Sequence, residues 1–196
     1  QPSEEITVTI DGAINEWEKV KPTYETPRGN TLHRNHPGWR GIQLTNTTGR
    51  NDFVSTRVAR DKDNLYFLIE TAEVISSSSD PGWMWLFIDT DRNRETGWEG
   101  YDFLLNRTSP SATMITVESN NGGWNWEKCG DASYKVSGKQ MEIKIPRSVL
   151  TLENKKLNFE FKWADNIQEA GEIMDFYLSG DVAPAGRFNY IYMEKK

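Results

Sequence analysis

Phe53-Val-Ser-Thr-Arg-Val-Ala-Arg60, Asp61-Lys-Asp-Asn64 and Leu65-Tyr-Phe-Leu-Ile-Glu-Thr71 read, in order, as strand, turn and strand. Apolar side chains recur with a period of two in both flanking runs, the signature of half-buried β-structure. The Asp and Asn residues between them tolerate tight or left-handed backbone and bond to their own main chain, so a hairpin follows. Val136-Ser-Gly138 makes a second such break. Working outward, the same alternation predicts strands at Ile6–Ile10, Trp83–Asp89, Tyr101–Asn106, Ala112–Glu118, Trp124–Lys128, Ser133–Val136, Gln140–Ile145, Leu157–Asp165 and Arg187–Met193. Helical periodicity is nearly absent. The predicted fold is therefore all-β, a two-sheet antiparallel β-sandwich with one or two short helices. The helix candidates are Ala13–Val20 and Pro146–Leu150, the latter opened by a proline suited to a first turn. Lys21–Asn51, with three prolines and four glycines, reads as a long irregular excursion.

At 196 residues the chain suits one domain spanning 1–196. Only 36% of residues are hydrophobic, yet eight are Trp, so much of the apolar content is large flat rings. The net charge of −6, with no basic cluster longer than a pair, argues against a nucleic-acid partner. Cys129 is the sole cysteine, which excludes an intrachain disulfide and a thiolate metal site. The longest apolar run, around Trp83 to Ile88, falls far short of the ~20 residues of a membrane span, so no membrane insertion is expected. Gln1-Pro2-Ser3-Glu4-Glu5 lacks the order of a signal peptide, and any export signal is expected to lie outside this sequence.

Three stretches carry candidate chemistry. Asp89-Thr-Asp91-Arg-Asn93-Arg-Glu95-Thr-Gly97 spaces oxygen side chains at every second residue after a strand. Hard cations such as Ca²⁺ take six to eight oxygens, so Asp89, Asp91, Asn93 and Glu95 are candidate metal ligands, with Glu99 or Asp102 closing the shell. Arg92 and Arg94 then point outward. The alternative is a polar hairpin loop whose side chains cap their own backbone. Trp83-Met-Trp85-Leu-Phe87-Ile88 is apolar on both faces, which fits a central strand with one face in the core and the other under a loop or ligand. Strict alternation places Trp83, Trp85 and Phe87 together. Asn120-Asn-Gly-Gly-Trp124-Asn-Trp126 sets two rings on one side of a strand, where they either stack on a sugar ring or pack across strands. Trp39 and Trp98 sit in other glycine-bounded loops. His33-Arg-Asn-His36 is the only histidine cluster and reads as a solvated loop. No pair of carboxylates at hydrolytic spacing stands out, and neither a G-x-S-x-G turn nor a phosphate-cradling loop occurs.

In their order, several motifs together resemble family 9 carbohydrate-binding modules, within the wider group of DOMON-like β-sandwiches. They are Val8-Thr-Ile-Asp-Gly12 with Asn15-Glu-Trp17, Val58 to Phe67, Leu86-Phe-Ile-Asp89 with Thr96-Gly97, Met141-Glu-Ile-Lys-Ile-Pro146, Phe159 to Asp165, and Arg187-Phe-Asn-Tyr190. The resemblance spans nearly the whole chain. It implies a non-catalytic sandwich appended to a secreted polysaccharide-degrading enzyme, in some members with structural calcium. It also implies a sugar site that clamps a chain end between two Trp rings with charged contacts nearby. This sequence departs there: Trp85 and Leu104 stand at charged positions of the family, and a Trp before the final strand is replaced within Gly180-Asp-Val-Ala-Pro-Ala-Gly186.

The expectation is accordingly a non-catalytic accessory module that binds a polysaccharide or oligosaccharide outside the cell, in the periplasm or on the cell surface. Trp83, Trp124 and Trp126 form the expected ring platform, with polar contacts from Asn121, Asn125 and Asp181. The alternatives are a structural module docking on a catalytic domain of the same polypeptide, and a glycoside hydrolase. Haem, found in some DOMON-like relatives, would need His33 or His36 facing the interior opposite a Met, and is not expected.

Overall fold

The computed structural model describes residues 1–31 and 34–194. Within them the strands run in chain order as β1 (Thr23–Glu25), β2 (Arg34–Pro37), β3 (Gln43–Asn46), β4 (Phe53–Arg60), β5 (Asn64–Thr71), β6 (Trp85–Asp89), β7 (Phe103–Leu105), β8 (Met114–Asn120), β9 (Trp126–Ser137), β10 (Gln140–Pro146), β11 (Asn158–Asp165), β12 (Asp181–Ala183) and β13 (Tyr190–Met193). The one α-helical turn, α1, spans Asp175–Leu178. The fold is an all-β antiparallel sandwich, with its two layers formed by one sheet rolled almost closed. The order is β1-β4-β5-β10-β9-β8-β7-β6-β11-β12, with β13 beside β12 on the same edge of β11. Strands β2 and β3 form a separate hairpin.

Side chains stitch the seam where the rolled sheet meets itself. The Phe53 amide donates to Asp181 Oδ2 at 2.7 Å, the Tyr24 hydroxyl to the Ile191 carbonyl at 2.8 Å and the Tyr190 hydroxyl to the Glu25 carbonyl at 2.9 Å. Inside, the alternate positions Leu65, Phe67 and Ile69 of β5 meet Leu86 and Ile88 of β6, Ile143 of β10 and Phe159, Phe161 and Trp163 of β11. Two further apolar layers lie on the outer faces. One buries Tyr66 and Leu68 of β5 beneath the N-terminal segment with Val8, Trp17 and Val20, and the other buries Trp85 and Phe87 of β6. Covering on both faces explains why the Trp83–Ile88 run into β6 reads as continuously apolar rather than as a clean alternation.

Several local expectations change. Ile6–Ile10 forms no strand; its Ile6 amide donates to the Arg60 carbonyl at 2.8 Å. Trp124–Lys128 and Ser133–Val136 belong to one region, the strand β9 from Trp126, whose pairing with β8 shifts register between Val117 and Glu118. Ala13–Val20 yields a 3₁₀ turn at Asn15–Lys19. Pro146 ends β10 and is followed by turns rather than a helix. The excursion at 21–51 contains β1 and the β2–β3 hairpin.

Candidate functional site

The outer face of β6 and β7 is built from rings. Phe87 sits at the centre, with ring centroids at 5.0 Å to Tyr101, 5.5 Å to Phe176, 5.6 Å to Trp98 and 6.5 Å to both Trp124 and Trp126. Trp98 meets Trp124 edge to face at 4.5 Å, and Trp124 meets Trp126 likewise at 5.6 Å, the arrangement that ring quadrupoles favour. Trp85 lies 6.0 Å from Trp124. Trp85, Trp98 and Trp126 are buried, whereas Trp124 is half-buried and forms the mouth of the cluster. Gly171, with φ +89°, rests flat on it: a side chain there would meet Trp124 Cγ at 2.7 Å. Only a glycine allows that approach. The buried indole Nε1 of Trp126 has no hydrogen-bond partner.

The turn before β9 explains how Trp124 is presented. Gly122 and Gly123 both take positive φ, the Asn121 amide N–H donates to the Asn125 carbonyl at 2.8 Å, and Asn125 Nδ2 donates to the Gly122 carbonyl at 2.8 Å. Asn121 Nδ2 donates to Glu127 Oε1 at 2.7 Å. Thus Asn121, Trp124, Asn125 and Trp126 share one turn and the start of β9, with the two amides exposed beside the rings. Trp83 does not join them. Met84 takes φ +50° and reverses the alternation before β6 begins, so Trp83 turns into the interior core, where its Nε1 donates to the Ser76 carbonyl at 3.1 Å. Asp181 is also elsewhere: it is buried at the sheet seam, where burial and the charges of Asp165 and Asp52 push its carboxyl up to about 8 against the Phe53 amide.

The ring cluster also includes Trp85, Phe87, Trp98, Tyr101 and Phe176, which lie outside the platform expected from the sequence. The parity of Trp85 with Phe87 carried the signal for the first. Phe176 lies on α1, a single turn whose first residue, Asp175, ties it to the preceding loop by accepting from the Gln168 and Glu169 amides, and to its own end by accepting from the Ser179 hydroxyl.

Beside this face, carboxylate oxygens of Asp89, Asp91 and Asp102 lie within 4.8 Å of one another. Asp89 closes β6 and is buried; Asp102 precedes β7 and accepts from both the Thr90 amide and its hydroxyl at 2.8 Å. Burial, with the charges of Asp102 and Asp91, pushes Asp89 up to about 6 despite the Arg92 amide. Burial also raises Asp102. Three hard oxygens crowded at one point fit a hard divalent cation. Glu95 is exposed and outside that group, and Asn93 Oδ1 accepts from the Glu95 amide at 3.1 Å. Arg92 turns outward to Glu160 at 3.2 Å.

Other buried charges position loops. Asp165 accepts a two-pronged contact from Arg50 at 3.0 and 3.1 Å, plus Asn51 Nδ2 at 2.8 Å and the Met84 amide at 3.0 Å. Lys162, fully buried, donates to the carbonyls of Pro184 and Gly186 at 2.7 Å and Phe188 at 2.8 Å, while burial pushes its ammonium down to about 7. His36 is exposed on β2, and His33 lies outside the described residues. No helix among the described residues is long and apolar enough to cross a membrane. Comparison with protein-family models, with curated proteins and with solved structures finds no match to this chain.

Proposed function

We propose that the chain is a non-catalytic accessory module of the carbohydrate-binding type, serving a secreted, periplasmic or cell-surface protein that acts on polysaccharide. The observation that carries this reading is the half-open mouth at Trp124, with an unpartnered indole N–H of Trp126 behind it and the amides of Asn121 and Asn125 at its rim. Sugars have apolar C–H faces and hydroxyls that need partners, so a flat ring beside a free donor suits them. In this reading a sugar takes the position of the Gly171 turn on the Trp124 face. Asp89, Asp91 and Asp102 hold a structural Ca²⁺ that fixes the loop bearing Trp98 and Tyr101. Such tight crowding of carboxylates supports a cation more than the separated acid and base of a glycoside hydrolase.

Titration with a panel of soluble oligosaccharides, followed by Trp fluorescence, tests the proposal. A saturable response that Trp124→Ala abolishes is expected; silence across the whole panel sinks it. A second reading, docking on a catalytic domain of the same polypeptide, draws support from Ile191 and Met193, which are exposed side by side on one face of β13.

A further inference from the structure

Between residues 78–83 and residues 106–110 lies a cleft of about 150 Å³, with Trp85 completing its wall. A single water needs only about 10–15 Å³, so the cleft has room for a larger guest. Both walls are pinned from behind. Arg50, held by Asp165, donates through Nη2 to the Pro81 carbonyl at 2.6 Å and the Gly82 carbonyl at 3.3 Å. Gly82, at φ +56°, lies so close to the Ile167 backbone that a Cβ would stand 2.1 Å from its carbonyl oxygen. In the opposite wall the Asn106 amide N–H donates to the Thr116 carbonyl at 3.0 Å.

One polar group of this wall is unsatisfied. Asn106 is 3% exposed, and its Nδ2 donates to the Trp83 carbonyl at 3.0 Å and the Met84 carbonyl at 3.1 Å. Those two acceptors dictate which end of the carboxamide is the nitrogen, so the other end, Oδ1, is an acceptor. It is buried without a hydrogen-bond partner among the described residues. An acceptor left unpaired in the interior is costly, and a donor brought by a ligand relieves that cost. The charges of the cleft, by contrast, are already spent: Asp80 faces Arg50 at 3.8 Å, and Arg107 donates to both carboxylate oxygens of Glu118. What remains is neutral, the Asn106 oxygen and the hydroxyls of Ser78, Ser79, Thr108 and Ser109. An ion finds no counter-charge there, whereas a guest with several hydroxyls finds partners.

The cleft adjoins the ring cluster. Trp85 belongs to both, and its ring centroid lies 6.0 Å from that of Trp124, so one indole separates the cleft from the Trp124 mouth. We propose that the cleft is a second sugar subsite, which takes the unit next to the one on Trp124 and accepts a hydrogen bond from one of its hydroxyls at Asn106 Oδ1. The inference rests on the carbohydrate-binding reading and deepens it: the ligand is a neutral oligosaccharide of at least two units. Walls pinned in advance lower the ordering cost of binding it.

The test compares glucose, xylose and mannose with cellobiose, xylobiose and mannobiose by calorimetry, in the wild type, in Ser109→Phe and in the double variant Thr108→Ala with Ser109→Ala. For the sugar that is recognised, the wild type is expected to bind the disaccharide about five- to tenfold more tightly than the monosaccharide. Ser109→Phe fills the cleft from an exposed position and should bring that ratio close to one. The alanine pair removes two hydroxyls without filling the space and should lower the ratio in the same direction, which decides the matter if the phenylalanine variant melts early. Equal affinities for monosaccharide and disaccharide in the wild type, as for a cleft that holds only water, overturn the subsite while the Trp124 reading stands. A ratio that survives both variants overturns it too. Failure of the wild type to bind any of the six sugars overturns both readings.

Discussion

The two outer faces of the sheet are covered by similar means and finished differently. Over β4 and β5 the segment before β1 lays down Val8, Trp17 and Val20, and every polar handle it buries is used: Trp17 Nε1 donates to Glu142 Oε1 at 2.8 Å, and Glu142 Oε2 accepts from the Gly12 amide at 2.8 Å. Over β6 and β7 the cover is aromatic, Trp126 Nε1 is left without a partner, and the roof over Trp124 is bare glycine backbone. Burying an indole N–H unpaired costs about 1–3 kcal/mol. That cost is the difference between the two faces, and it is the feature on which the proposed ligand-binding role of the aromatic face rests.

The largest expected effect acts on both faces at once, through the seam that closes the sheet. Folded Asp181 keeps its proton to about pH 8, whereas an unfolded Asp gives it up near 4. The folded state therefore binds the extra proton across this window, and stability falls as pH rises from about 4 to about 8. Asp181→Asn, which keeps an acceptor for the Phe53 amide, is expected to flatten that slope in urea melts taken across the range. An unaltered slope would remove Asp181 from the account.

The proposed Ca²⁺ at the carboxylate cluster would be the next largest lever, and it would separate the faces. The Asp89, Asp91 and Asp102 cluster brackets the loop in which Trp98 and Tyr101 pair by two 2.9 Å backbone bonds. A cation bound only by the folded state adds about 2.7 kcal/mol at a hundredfold excess over its Kd. Chelation should lower the melting temperature and speed hydrogen exchange at 96–104 while leaving 6–20 protected, and Asp91→Ala should erase the response to added Ca²⁺. Equal loosening of both segments would mean that the aromatic face has no separate support.

Replacing each indole by phenylalanine sharpens the contrast itself. Trp17→Phe and Trp126→Phe delete the same ring volume, so their cavity costs are comparable. Only the first strands a buried acceptor, Glu142 Oε1, and it should cost about 1–3 kcal/mol more in denaturant unfolding. Equal losses would erase the distinction between a satisfied face and an open one.

How much of this was legible follows the range of the interactions. The hairpin of β4 and β5 is local: the observed strands begin and end at Phe53, Arg60 and Thr71, as alternation and the Asp61–Asn64 turn dictate, because Asp61 caps the Asp63 and Asn64 amides itself. Asp102 could be named as a partner of Asp89 because both border the same short loop. The position of Trp83 was not legible. It depends on one left-handed residue, Met84, whose amide is held by Asp165 from β11. β12 and α1 left no periodic trace either, since contacts from Arg34, Asn46 and Asn166 hold that region rather than its own pattern. The ring cluster draws Trp98 and Trp124 from two loops and Phe176 from α1, all far apart in sequence, and spacing alone says nothing of their meeting.

Gly171→Ala gives the smallest effect on stability and the most pointed one on binding. At φ +89° an alanine is strained by about 1 kcal/mol. Its methyl group would also strike Trp124 Cγ at 2.7 Å, so the turn has to lift from the ring. In the proposed reading a sugar has to displace that turn in the wild type, so the apparent Kd would be the intrinsic one divided by the open fraction. Lifting the turn raises that fraction. The variant should therefore be slightly less stable, show a more solvent-exposed Trp emission without ligand, and bind oligosaccharide more tightly than wild type. A weaker Kd beside the same red shift would mean that the Gly171 turn is itself a contact of the sugar site, and that the ligand binds this roof rather than displacing it.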